Sequence, residues 1–475
     1  MSTEPHDSDP TLWSASQQAA AIAAGDLGSE ELLDLCLDRI EAIDPLVHAV
    51  CTLDVHRARR RAHEADEATA RGESWGPLHG LPFTIKDAID TAGIRSTGGA
   101  EALRDRVATS DAPAVASLKS AGAIVFGKTN LPEWSGDWQS FNTMFGTTNN
   151  PWDLTRTPGG SSGGAAAAVA CGMTSAELGT DIGGSVRVPS AFCGVFGHKP
   201  SFGVVPTLGY IDEPNGGGTE SDVNTFGPIA RSVDDLTLLL DVIAGPTPAD
   251  AAAWSLRLPT DDDLTLERLR VGVWFDEPAL EIDREMAAVL HSAAGALEAA
   301  GASVDRLCRP NLDVDEAWRL GASLIGAAVS LHADDPAPLR HQEWLWMHRR
   351  RQDLRAAWAE CFQHVDVVLC PVTLVPAFAH LQERSWFDRT MEINERTRRY
   401  VELEGWPALV GGAYLPSTSV PVGRTAAGLP VGVQVVAPYL HDRRALKVAS
   451  WLADVSGGYL PPPIARSAPK GGGSI

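Results

Sequence analysis

Apolar residues follow two kinds of spacing along this chain. Residues 11–24 and 29–44 carry them at helical intervals, and in the second stretch Leu32, Leu33, Cys36, Leu37, Ile40 and Ile43 form one stripe, which predicts an amphipathic helix. Ser29 stands where an N-cap is expected, with Glu30 and Glu31 in the first turn, where the helix dipole favours acids. Leu81-Pro82-Phe83-Thr84-Ile85 is a nearly continuous apolar run that ends at Lys86-Asp87. Such a run predicts a strand buried on both faces. Residues 111–121 read as a helix and Ala123-Ile124-Val125-Phe126 as another buried strand. Ala165 to Ala170 is small and apolar throughout, which suits a helix packed tightly in a core. Strand patterns return at 367–370 and 429–436. Strands alternating with helices predict an α/β layer fold.

From 246 to 365 Asp, Ala, Leu and Arg dominate and helical periodicity is frequent. This stretch reads as a helical insertion into a core that spans 11–245 and 366–460. Residues 465–475, ending Gly-Gly-Gly-Ser-Ile, read as a flexible tail. No internal repeat is visible, so the 475 residues are expected to form one large domain.

The formal net charge of −22 repels polyanions, which argues against nucleic acid or anionic membrane as the main partner. No apolar run approaches the roughly 18 residues of a membrane span, and the first residues are polar and acidic, unlike a secretory signal. The seven cysteines are irregularly spaced, without a Cys-x-x-Cys pair, as for reduced thiols in a cytoplasmic protein. The 13 histidines form no metal-ligand pattern, and no cofactor is expected.

Chemistry concentrates in three places: Lys86, the turn Gly159-Gly160-Ser161-Ser162-Gly163-Gly164, and the segment Gly179-Thr180-Asp181-Ile182-Gly183-Gly184-Ser185. One lysine and two serines in glycine-lined turns can make a hydrolytic site that needs no histidine. A serine hydroxyl must lose its proton as it attacks. Ser185 follows two glycines, which let the backbone turn sharply and aim N–H groups at a developing oxyanion. Ser161 is then the relay and Lys86 the base. To accept a proton near neutral pH the lysine must fall about 2–3 units below its usual ~10.4, and burial behind an apolar strand supplies that depression.

Other readings fit less well. Gly159-x-Ser161-x-Gly163 satisfies the nucleophile-elbow pattern of α/β-hydrolases, but the segment before it carries prolines and charges instead of a strand. Gly122 to Thr129 satisfies the phosphate-loop expression, but its middle residues are the strand Ala-Ile-Val-Phe. A Gly/Ser linker would not run into an alanine helix. Asp181 and Arg187 suit a structural ion pair.

The three motifs together resemble the amidase signature family, with a Pro-x-x-x-Lys-Asp segment at Pro82–Asp87, a Gly-Gly-Ser-Ser-Gly-Gly turn at Gly159–Gly164, and Gly-Thr-Asp-x-Gly-Gly-Ser-x-Arg-x-Pro at Gly179–Pro189. The 24-residue separation of Ser161 and Ser185 matches too. His198 departs from the family pattern, where leucine is usual. The resemblance implies a mixed central sheet flanked by helices, with Lys86 as base, Ser161 as a relay serine whose preceding peptide bond is cis, and Ser185 as nucleophile. It further implies Ile182, Gly183, Gly184 and Ser185 as oxyanion N–H donors, and Trp134 and Ser135 as residues beside the substrate. The implied reaction is cleavage of a small-molecule amide, carbamate or ester through an acyl-enzyme, by a monomer or homodimer without nucleic acid. The alternative implied by the same signature is the amidase component of a tRNA-dependent amidotransferase.

Overall fold

In the computed structural model, which describes residues 9–213, 217–329 and 339–466, the apolar runs become adjacent strands of one sheet. Its eleven strands lie in the order Val50–Leu53, Ile124–Thr129, Pro82–Lys86, Glu177–Asp181, Thr225–Ala230, Phe196–Lys199, Ser417–Arg424, Pro430–Val436, Val367–Pro371, Arg270–Val273 and Ser303–Asp305. Pro82–Lys86 runs parallel to both neighbours, whereas Thr225–Ala230 and the strands beyond it pair antiparallel as far as Val367–Pro371. The sheet is therefore mixed. Helices flank it, and the whole is a single α/β domain. The five residues Pro82–Lys86 are all buried, which accounts for the continuous apolar run.

Two expectations change. The 246–365 stretch does contain the long helices Arg284–Ala299, Val314–Val329 and His341–His364, but it also supplies the last two strands of the main sheet. Those strands are four and three residues long, too short to outweigh the helical texture around them. Ser29 is also the first residue of its helix, Ser29–Val47, and not its cap. The free N–H groups of Ser29 and Glu30 donate instead to Asp66, at 2.6 and 3.0 Å, from the helix Val55–Ala70. A tertiary contact satisfies what the local sequence was expected to satisfy. Most of the expected tail, 467–475, lies outside the described residues.

The helix Gly163–Ala170 is wholly buried, and it approaches its neighbours through backbone. A Cβ on Gly164 would lie 2.5 Å from the amide N and the O of Asn130 and 2.6 Å from the carbonyl of Ala49. We expect Gly164→Ala to destabilise by about 3 kcal/mol or more, because backbone cannot move aside cheaply. Gly295→Ala, on the helix Arg284–Ala299 where a Cβ meets nothing within 4 Å, should stabilise by about 0.5–1 kcal/mol. Urea midpoints of the two variants check both signs.

All seven cysteines are free thiols, and among the described residues no helix is long and apolar enough to cross a membrane.

Candidate active site

The end of the strand Pro82–Lys86 meets the start of the helix Gly163–Ala170 and the end of the strand Glu177–Asp181. Lys86 Nζ donates to Ser161 Oγ at 2.6 Å and to Thr180 Oγ1 at 2.6 Å. The amine is fully buried. Burial pushes it well below the usual lysine range, against the opposing fields of Asp181 and Glu177. Those two acids offset the effect of burial only in part. Burial lifts Glu177 to about 8, although Thr84 and Thr129 hydrogen-bond it. Asp181 is also buried, which alone would raise it, but the Arg187 guanidinium, helped by Lys199 and the Gly184 N–H, outweighs that and holds it at about 2. Its charge is spent on Arg187, which it meets at 2.9 and 3.0 Å in a fully buried two-pronged ion pair.

The peptide bond Gly160–Ser161 is cis. Ser140 fastens this turn: its hydroxyl donates to the Gly159 carbonyl at 3.1 Å and accepts from Gly163 N–H at 3.0 Å. The serine turns are tied to each other by Ser162 N–H, which donates to the Ser185 carbonyl at 3.1 Å. Ser185 is 9% exposed while Ser161 is sealed, so of the two serines only Ser185 reaches solvent. Among the described residues nothing hydrogen-bonds its Oγ.

One of the four expected oxyanion donors is already engaged. Gly184 N–H donates to Asp181 Oδ1 at 2.9 Å. The N–H groups of Ile182, Gly183 and Ser185 have no acceptor among the described residues. Asp181 takes the Gly184 N–H because its carboxylate turns back on its own loop, where it also accepts from Val186 N–H at 3.1 Å.

Trp134 and Ser135 end the short turn Glu133–Ser135, both with positive φ. Trp134 N–H donates to the Gly98 carbonyl at 2.8 Å and its ring lies over Gly98. Burial raises the Tyr210 phenol to about 12. Ser135 Oγ is buried with no hydrogen-bond partner among the described residues. No contact among the described residues ties either residue to Ser185.

Three neighbours carried no sequence signal strong enough to find them. Thr180 lies inside the motif, but its bond to Lys86 depends on two strands being adjacent. Trp138, which reads as an ordinary core tryptophan, donates its indole N–H to the Gly183 carbonyl at 2.9 Å. Glu404, 8% exposed, places Oε1 3.1 Å from where a Gly183 Cβ would be. Burial pushes its carboxyl up to about 8. As pH rises through that value Glu404 gains negative charge beside the oxyanion loop. We expect kcat/KM to fall roughly tenfold on that alkaline limb, and Glu404→Gln to abolish the fall in a pH–rate profile.

The rejected readings find no support in the fold. Lys128, of the phosphate-loop pattern, is buried at the end of a strand and donates to Thr91 Oγ1 at 3.1 Å and to the Ile89 carbonyl. No strand leads directly into Ser161. His198 is buried between Thr418, at 2.9 Å, and Asp442, at 3.2 Å.

The mixed α/β sheet with a buried amine hydrogen-bonded to a serine belongs to a class of hydrolase that comparison with known proteins identifies. The amidase family profile matches residues 31–335 and 322–446, and the chain belongs to that family, the amidase signature hydrolases of carbon–nitrogen bonds. The chain is 34% identical to the A-subunit of glutamyl-tRNA(Gln) amidotransferase from Synechococcus sp. (strain CC9902), over 90% of this chain and 92% of that one. The solved A-subunit of the same amidotransferase from Thermotoga maritima superposes with a TM-score of 0.79 at 25% identity, covering 96% and 99% of the two chains. An inhibitor-bound protein from a vestigial complex linked to the origins of an s-triazine catabolic enzyme superposes at 0.82 with 27% identity, covering 94% and 100%.

Proposed function

We propose that the chain cleaves a carboxamide through an acyl-enzyme on Ser185. The observation that carries this reading is the fully buried amine of Lys86, pushed by burial well below the usual lysine range and held 2.6 Å from Ser161 Oγ. Neutral Lys86 takes the proton of Ser161, and Ser161 takes that of Ser185 as Ser185 Oγ attacks the carbonyl carbon. The N–H groups of Ile182, Gly183 and Ser185 receive the oxyanion. Ser161 then returns a proton to the leaving nitrogen as the C–N bond breaks, and water hydrolyses the ester. The link from Ser161 to Ser185 is not hydrogen-bonded in the structure; such bonds commonly close only in the Michaelis complex.

For the substrate, likeness favours the amidotransferase reading over carbamate cleavage. Relatives at 33–34% identity, matched over nine-tenths of this chain, are A-subunits of glutamyl-tRNA(Gln) amidotransferases. The carboxamide of glutamine is then the natural donor and ammonia the product passed on. With a net charge of −22, contact with tRNA would fall to partner subunits. The second reading, a stand-alone amidase acting on aryl or aliphatic amides, carbamates or esters, draws on an amidase structure matched at TM-score 0.77 and 28% identity. Ammonia release from glutamine, compared with turnover of an aryl amide and an aryl carbamate by the purified chain, tests the choice. Glutamine turnover that rises when partner subunits and glutamyl-tRNA are added supports the first reading. Fast aryl amide turnover by the chain alone, with glutamine inert in either setting, overturns it.

A further inference from the structure

Four of the five carbonyl groups in the loop from Asp181 to Ser185 accept hydrogen bonds from side chains or from backbone beyond the loop. The Asp181 carbonyl accepts from Thr225 Oγ1 at 3.2 Å, that of Gly184 from Val188 N–H at 2.7 Å, and that of Ser185 from Ser162 N–H at 3.1 Å. The Gly183 carbonyl accepts from the Trp138 indole at 2.9 Å. This last bond holds one end of a peptide whose other end, Gly184 N–H, is held by Asp181. A Gly-Gly peptide is the easiest in a chain to flip, because neither side carries a Cβ. A flip here would swing the Gly183 carbonyl onto the Asp181 carboxylate and turn the two adjoining peptides, which carry the N–H groups of Gly183 and Ser185.

The indole is itself held firmly. It is buried, with its ring edge-to-face against Trp386 and Tyr400 at 5.6 and 5.7 Å. Both chain neighbours are anchored to the 381–400 segment. Asp137 accepts from the Tyr400 hydroxyl at 2.6 Å and pairs with Arg389, while Gln139 exchanges two hydrogen bonds with the Leu381 backbone at 2.8 and 2.9 Å. A rigid ring on a braced segment makes an accurate donor.

We propose that Trp138 is a positioning residue for the hydrolysis. Its indole N–H pins the Gly183–Gly184 peptide so that the N–H groups of Gly183 and Ser185 stay turned toward the developing oxyanion. This rests on the reading of Ser185 as nucleophile.

The test replaces Trp138 with β-(3-benzothienyl)alanine, which keeps the bicyclic ring and removes only the N–H. In the full chain we expect kcat to fall by about 10- to 100-fold, the scale of a modest misplacement of catalytic groups. KM should stay within about twofold, because the lost interaction acts on the transition state. Affinity for a trifluoromethyl ketone that forms a tetrahedral adduct should fall by the same factor as kcat. 5-Fluorotryptophan at 138, which retains the N–H, should restore both. Unchanged kcat and ketone affinity in the benzothienyl variant overturn the proposal, and so does a loss of kcat that only tracks a lower Tm. Fluorophosphonate labelling of the unaltered protein separates the two claims. Absence of label on Ser185 removes the nucleophile reading, whereas label on Ser185 with a fully active benzothienyl variant removes only the role of Trp138.

Discussion

Ser185→Ala is expected to abolish turnover, with kcat lower by on the order of 10⁶, the scale seen when a serine nucleophile is removed. No acyl-enzyme can form without its Oγ, and no other hydroxyl fills the place: Ser161 is sealed and Ser162 is buried behind it. The fold should survive. Ser185 is bound into the loop through its backbone carbonyl, which alanine retains, and nothing among the described residues hydrogen-bonds its hydroxyl. The check is product release together with fluorophosphonate labelling, and an unchanged Tm shows that the protein is intact. Activity close to that of the parent would refute the acyl-enzyme scheme.

Lys86→Met has the next largest effect. Methionine keeps most of the side-chain length and removes the amine, so the base is lost with little packing change. General-base catalysis contributes about 10²–10⁴-fold, and kcat should fall by the upper end of that range because the amine serves two proton transfers. The pH profile discriminates better than the rate. In the parent, activity rises with pH as Lys86 deprotonates, ahead of the alkaline fall set by Glu404. Because burial lowers the lysine, this rise falls below the usual lysine range. In the variant hydroxide must do the work, and the residual rate should climb about tenfold per pH unit. A flat residual profile, or a variant with normal kcat, would remove Lys86 as the base.

Part of this site was legible because its chemistry is local. Glycine beside serine, twice, and a lysine closing an apolar strand are features of a few consecutive residues. Their physical meaning, a sharp turn or a desolvated amine, does not depend on distant partners. The buried strands at Pro82–Lys86 and Ile124–Thr129 were legible for the same reason. The strands Arg270–Val273 and Ser303–Asp305 were not, since three or four residues carry no period against a helical background; the first becomes a strand by pairing with Val367–Pro371 and the second by pairing with the first.

The amino-acid order by itself therefore determined where a lysine closes an apolar strand and where serines stand in glycine-lined turns, and which segments would be buried enough to hold them. It did not decide which N–H groups stay free to act. That depends on acceptors brought from elsewhere: Asp181 takes Gly184 N–H, Trp138 takes the Gly183 carbonyl, and Glu404 arrives beside the same loop from more than two hundred residues away. Backbone donors are identical in every residue, so only the folded arrangement, which satisfies some and leaves others open, gives this loop its direction.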